Sequence, residues 1–274
     1  MGSRPPITVL TTGANSGIGL ATAIEAARRG HRSIGTVRSP TKADALRRAA
    51  TDAGTEVETA LLDVTDADAG AAVIDEHRPD ALVNNAGFSI TGAIEDVSDD
   101  EARLAFETMV LAPMRLARLA IPHMRERHWG RIVNVSSIYG RTSTPLTGWY
   151  QGCKHAMEGL SDALRMEVAR DGIKVVLVEP GGFKTGIWED TEREVRKRAG
   201  SAFDSNYGRT LTATRLWQPL MGSPDRCASV IVDVIEGNPR ARYLVGIDAQ
   251  ALGAAETFVP TVVRDLVTRF TLGL

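Results

Sequence analysis

The 274-residue chain has little of what marks secretion, metal binding or membrane residence. Its two cysteines, Cys153 and Cys227, are too few for a disulfide framework, and neither has neighbours at zinc-ligand spacing, so no metal is expected. Charge of neither sign is in surplus: the net of −2 gives no footprint for nucleic acid. No run approaches the roughly 20 apolar residues of a membrane span. The opening MGSRPPITVL lacks the long apolar core of a secretory signal, and a reducing cytoplasm is the expected location. What the chain does have is 43% hydrophobic residues at a length sufficient for one large core, which predicts a single domain over residues 1–274.

Strand and helix patterns alternate along most of that length. Residues 7–13, ITVLTTG, are a β-branched run ending in glycine, and from Ser16 apolar positions recur at helical spacing through Ile18, Leu20, Ile24 and Ala27 to a stop at Gly30. Between them lies the turn Gly13, Ala14, Asn15, Ser16, Gly17, Ile18, Gly19, where glycine permits positive φ and close backbone approach while the new helix offers free N–H groups to a phosphate. Alone, such a turn is as often structural; between the first strand and first helix of an αβ chain it points to a dinucleotide. Strands are predicted at 32–38, 56–64, 81–86, 131–137, 174–179 and 242–247, with helices at 41–53, 67–77, 98–128, 149–171 and 224–236. The expected fold is therefore α/β, a Rossmann-type doubly wound domain with a seven-stranded parallel sheet.

Arg38 closes the second strand about twenty residues past the glycines, where an NAD-selective fold carries an acid for the ribose 2′-hydroxyl. Residues 36–40 hold no acid, so NADP(H) is expected, with Arg38 on the 2′-phosphate; the alternative is a solvated loop charge.

The stretch RIVNVSSIYGRTSTPLTGWYQGCK, residues 131–154, carries the candidate chemistry. A strand ends at Ser137, and Tyr150 and Lys154 stand one helical turn apart on one face. A phenol with an ordinary pKa of about 10 beside a fixed cation can ionise about three units lower, roughly 4 kcal/mol, which suits general acid/base work. Ser137 could hydrogen-bond a substrate oxygen beside it. By itself the Tyr–Lys pair also describes an ordinary helix surface, and Cys153 a small packed residue.

Taken together, these segments resemble the short-chain dehydrogenase/reductase family, in particular members near hydroxysteroid and retinol dehydrogenases. TGANSGIG is similar to its cofactor turn, Asp63-Val64 to its adenine contact, Asn84-Asn85-Ala86-Gly87 to its fourth-strand signature, Ser137 with YQGCK to its active site, and Pro180, Gly181 and Thr185 to its loop over the nicotinamide. The resemblance implies Tyr150 as proton donor, Lys154 on the nicotinamide ribose and lowering the phenol pKa, and Ser137 on the substrate oxygen. It also implies a small carbonyl or alcohol substrate, lipophilic by the closing pattern RARYLVGIDAQAL, and a homodimer or homotetramer paired through the helices at 98–128 and 149–171. One residue departs: Met109 stands where the family has a catalytic asparagine, and a thioether cannot replace an amide. Pro113 offers no N–H to the Met109 carbonyl, so that main-chain acceptor is expected to stay available to a relay water. The missing asparagine is the sole support for the alternative of a non-catalytic dinucleotide sensor or structural partner.

From Gly182 to Pro219 the alternation stops, and a lid over the crevice is expected there, its aromatics Trp188, Phe203, Tyr207 and Trp217 either closing on substrate or anchoring the segment. Glu189 to Arg198 reads as a solvated helical face. The tail at 256–272 reads as one amphipathic helix packed on its own domain or on a second copy, with a membrane or another partner as the alternative.

Overall fold

The structure, a computed structural model, describes residues 6–184, 187–218 and 221–274, with backbone alone at 187–190 and 217. Seven strands, β1 (Thr8–Thr11), β2 (Arg32–Val37), β3 (Glu58–Leu61), β4 (Ala81–Asn84), β5 (Gly130–Val135), β6 (Ile173–Pro180) and β7 (Arg242–Val245), form one parallel sheet in the order β3-β2-β1-β4-β5-β6-β7. The seven-stranded α/β architecture expected from the alternation is the one found. Winding reverses between β1 and β4, and the carboxyl ends of those strands open the crevice in which such sheets bind ligands.

Strand side chains alternate between the two faces, so both faces must be covered. Leu10, Leu82, Ile132 and Val175 pack with α3 (Ala67–His77) and α5 (Ala112–Glu126); their neighbours Val9, Val83, Val133 and Val176 pack with α9 (Pro224–Glu236). Each such side chain, when fully buried, contributes about 1.5–3 kcal/mol. Helix α1 (Gly17–Arg28) lies beside α9, and α2 (Pro40–Asp52) covers the far edge. Starts are set locally: Ser39 caps α2, Asp66 caps α3 through the N–H groups of Asp68 and Ala69, and Ser98 with Glu101 forms a capping box on α4 (Asp99–Phe106).

The helix expected at 98–128 is α4 and α5 joined by one π-helical turn, Glu107–Leu111, in which the Ala112 N–H donates to the Glu107 carbonyl. Its partner α6 runs from Gly148 to Glu167.

Beyond β6 come α7 (Ile187–Lys197) and α8 (Asp204–Trp217). The charged segment is not simply solvated. Arg198 is buried, donates to both Glu101 oxygens at 2.7 and 3.0 Å and reaches the Asp96 carbonyl at 3.0 Å. Tyr207, also buried, donates to Asp96 at 2.5 Å and accepts from the Ala93 N–H at 2.7 Å, with Phe203 beside it. These two aromatics anchor the segment to residues 91–101; the side chains of Trp188 and Trp217 lie outside the described residues. The tail is two helices, α10 (Ile247–Phe258) and α11 (Thr261–Leu272), parted at Pro260. Phe258, Val262, Leu266 and Phe270 are 68–85% exposed, so this row faces away from the chain's own domain, the first of the two packing partners expected for it.

Candidate active site

At the cofactor end, two backbones approach almost without side chains between them. Gly13 and Gly17 take φ of 66° and 56°. A Cβ on Gly13 would lie 2.9 Å from the Ala86 Cα, and one on Gly19 would collide with the Asn85 amide. Asn85 fixes this approach: its Nδ2 donates to the Thr12 carbonyl at 2.9 Å, and its own N–H and that of Ala86 donate to Thr12 Oγ1 at 2.9 and 3.0 Å. Ser16 makes no side-chain cap to α1, so the first-turn N–H groups beside Ile18 are left to an anion; Asn15 Nδ2 donates to Ser16 Oγ at 3.3 Å. This cradle fits a pyrophosphate. Gly87 lies next, against the Met109 thioether.

Arg38 is exposed at the carboxyl end of β2, next to an α2 whose first turn carries no acid. Asp63, at the end of β3, accepts from the Thr65 N–H at 3.0 Å, which with the Arg38 charge holds its carboxyl below the usual range; Val64 is buried beside it. Arg38 and Asp63 are thus neighbours.

At the reaction end, β5 delivers Ser137, whose Oγ accepts from the Tyr139 N–H at 3.2 Å and caps a short 3₁₀ turn, Ile138–Gly140. Tyr150 lies in the first turn of α6, stands edge-on to Tyr139 at 6.4 Å between centroids, and has the Ser137 hydroxyl as a polar neighbour. Lys154 is buried, its Nζ 5.6 Å from the Tyr150 ring centroid and donating to the Val135 carbonyl at 2.9 Å. The structure therefore brings Ser137, Tyr150 and Lys154 together at the carboxyl edge of the sheet.

The expected lowering of the phenol pKa is not what this site shows. Burial pushes Tyr150 up to about 12, with the nearby Ser137 hydroxyl opposing, and pushes Lys154 down to about 8 against the charges of Cys153 and Glu158. Lys154 sits over the ring and hydrogen-bonds main chain, so desolvation of the two groups outweighs their attraction. Cys153 is buried too, its thiol pushed up to about 11, and packs in the cluster holding Met109 and Ile90.

The π turn changes the account of the main-chain acceptor. Ala112 is committed to Glu107, and Pro113 has no N–H, so the Thr108 carbonyl has neither its four-on nor its five-on donor, while Met109 has lost its four-on donor. The acceptor released at this point is thus the Thr108 carbonyl, one residue before the one expected; the Met109 carbonyl keeps the Met114 N–H as its five-on neighbour. Pro113 O in turn accepts from Asn84 Nδ2 at 3.3 Å; the same Nδ2 donates to Asn134 Oδ1 at 2.8 Å, and Asn134 Nδ2 to Ser161 Oγ at 2.8 Å. This chain of amides links α5, β4, β5 and α6, and no sequence motif pointed to Asn134 or Ser161.

Pro180 ends β6, and Gly181 and Gly182 open the loop after it; Thr185 lies outside the described residues. Gly181 donates to the Val245 carbonyl at 3.0 Å, and the Gly182 N–H to Asp248 Oδ2 at 2.5 Å. A Cβ on Gly181 would meet that carboxylate. Asp248 was also missed; its only sequence signal is its place just after the last strand.

Among known proteins, the family model described as short chain dehydrogenase matches residues 7–196. Retinol dehydrogenase 7 of Rattus norvegicus is 29% identical, over 94% of this chain and 86% of its own length. A short-chain dehydrogenase from Streptomyces avermitilis superposes with a TM-score of 0.79 at 33% identity, over 99% of this chain and 98% of the other. A variant of actinorhodin polyketide ketoreductase, solved with NADPH, gives 0.75 at 27% identity, over 89% and 97%.

Proposed function

The chain belongs to the short-chain dehydrogenase family, and from that premise we propose that it is an NADP(H)-dependent oxidoreductase, acting chiefly as a ketoreductase on a lipophilic carbonyl compound. The observation that carries the reading is the convergence of Ser137, Tyr150 and Lys154 beside a glycine cradle. NADPH, when bound, supplies the hydride.

Gly13, Asn15, Ser16, Gly17, Ile18 and Gly19 would hold the pyrophosphate, Asp63 and Val64 the adenine, and Asn85, Ala86, Gly87, Pro180, Gly181 and Thr185 the nicotinamide half. The exposed Arg38, with no acid near it on α2, supports a 2′-phosphate, as does the NADPH in the related ketoreductase. Ser137 donates a hydrogen bond to the substrate oxygen, Tyr150 delivers its proton there, and Lys154 binds the ribose and stabilises the phenolate that remains. A phenol held neutral by burial is the proton-loaded form that reduction needs. The Thr108 carbonyl serves the relay water that reloads it.

The lipophilic substrate rests on the likeness to a retinol dehydrogenase and on the apolar neighbours of Tyr150, Phe88, Ile90, Phe106 and Trp149. Residues 182–219 serve as the cover over the crevice. Leu104, Leu111, Leu160 and Met166, 43–65% exposed on the two long helices, support pairing with a second copy there.

The test follows NADPH absorbance with a panel of hydrophobic ketones. Wild-type turnover that Tyr150→Phe abolishes, with cofactor binding kept, is the expected result. Tight NADPH binding with no turnover on any ketone would leave the sensor reading in its place.

A further inference from the structure

Behind the three reaction residues lies a group of charges that the mechanism above does not use. Glu158 follows Lys154 by one turn of α6 and is 8% exposed. Glu179 precedes Pro180 on β6 and is 0% exposed. Arg242 of β7 reaches both with the same atom: its Nε lies 3.1 Å from Glu158 Oε2 and 3.3 Å from Glu179 Oε1. Its Nη2 is taken by Asp162 at 2.5 Å, and Asp162 also accepts from Arg165 at 3.2 Å. Arg141, on the loop after Ser137, stands 3.6 Å from Glu179 Oε2, too far for a hydrogen bond. Both Glu179 oxygens and Glu158 Oε1 are buried without a hydrogen-bond donor of good geometry, the Ser136 hydroxyl lying alongside Glu158.

A carboxylate deprived of water and of donors is costly unless a proton or a cation compensates it. Here two carboxylates compete for one N–H. We propose that Glu158 and Glu179 are positioning residues for the catalytic set: a buried carboxyl pair that shares one proton in acid, tethers α6 to the nicotinamide loop and keeps the Lys154 ammonium charged. Its consequence for Lys154 rests on the catalytic reading above.

The groups facing the pair all come from elements that carry reaction residues or adjoin them: Lys154, Asp162 and Arg165 on α6, Ser136 and Arg141 around Ser137, and Arg242 on β7. Burial and the neighbouring Glu158 charge raise the Glu179 carboxyl to about 7, consistent with its being the protonated member. Glu158 works against the burial that depresses Lys154. Ionisation of Glu179 adds a second negative charge to the pair behind Lys154 and so favours the ammonium, which delays the alkaline loss of activity. Lys154 is the group that sets this loss, since it releases its proton before the buried Tyr150.

Two measurements test this. An infrared difference titration of the cofactor-free chain, from about pH 5 to about pH 9, should show one carboxylic-acid carbonyl band vanishing near neutrality, absent in Glu179→Gln and moved to higher pH in Arg242→Gln. No such band in the wild type, or one retained in Glu179→Gln, overturns the pair whether or not the protein is an enzyme. In ketone reduction with NADPH, Glu158→Gln should move the alkaline limb of kcat/KM about one pH unit lower, a loss of about tenfold above the limb with little change below it. Glu179→Gln should move it less, in the same direction, and Glu158→Asp should restore part of the shift. A loss uniform with pH would make Glu158 merely structural, and absence of wild-type turnover would refute the catalytic reading while the infrared result still decides the pair.

Discussion

Gly13 and Gly19 meet Asn85 and Ala86 with almost nothing between the two backbones, whereas farther along the same sheet edge Lys154, Glu158 and Glu179 bring three ionisable groups out of water. The first region works by leaving atoms out, so its precision is that of main chain and its tolerance for a methyl group is nil. The second works by placing charges where water cannot screen them, so its properties depend on which protons are present. A dinucleotide needs shape and N–H groups; a proton transfer needs tuned groups. The two ends of one crevice therefore answer to different perturbations.

Substitutions can break that contrast in order of expected size. Tyr150→Phe removes the transferable proton and should lower turnover by about 10³-fold with NADPH affinity kept, read by steady-state kinetics beside a binding titration. Gly13→Ala does the opposite: at φ 66° and with the Ala86 Cα 2.9 Å away, the methyl should destabilise by about 1–3 kcal/mol and weaken NADPH and NADH alike, seen in denaturant midpoints and binding isotherms. Arg38→Asp should cost on the order of 2 kcal/mol of NADPH affinity with little change for NADH; equal losses for both cofactors would remove Arg38 from cofactor selection.

Stability against pH sharpens the comparison at the reaction end. Glu179 is raised to about 7 in the folded chain, so the fold holds its proton where the unfolded chain has released it. Stability from this group is full below the ordinary carboxylate range and is lost as pH rises toward neutrality. Glu179→Gln should thus raise the Tm at alkaline pH by more than at about pH 4, a difference on the order of 2 kcal/mol, whereas Gly13→Ala should shift the Tm equally at both. Smallest is Met109→Asn, expected on the proposed mechanism to raise turnover only a few-fold, under about 1 kcal/mol, because a main-chain acceptor would already serve the relay. No change at any pH would show that the thioether costs nothing.

The sheet and its cradle were legible in the sequence because their signals are local. A β-branched run, a glycine turn and a helical repeat lie within about twenty residues of one another, and each strand's edge motif travels with its strand. The placement of Ser137, Tyr150 and Lys154 was legible for the same reason. Their electrostatics were not: adjacency of Tyr150 and Lys154 suggested attraction, but the balance lies with burial, which is a property of the packed domain. Glu158 and Glu179 meet over Arg242 from three elements, and Asp248 reaches back to Gly182, so no window of sequence contains either arrangement. The π turn escaped because Phe106 to Pro113 keeps an ordinary helical pattern, and the tail read as one helix because its apolar period continues across Pro260.

The slip at Glu107–Leu111 is written by backbone register and by Pro113, not by the side chain at position 109. A break encoded that way outlives the loss of any single amide. An apolar residue such as Met109 can then occupy the bend against Gly87 while the backbone opening at Thr108 persists.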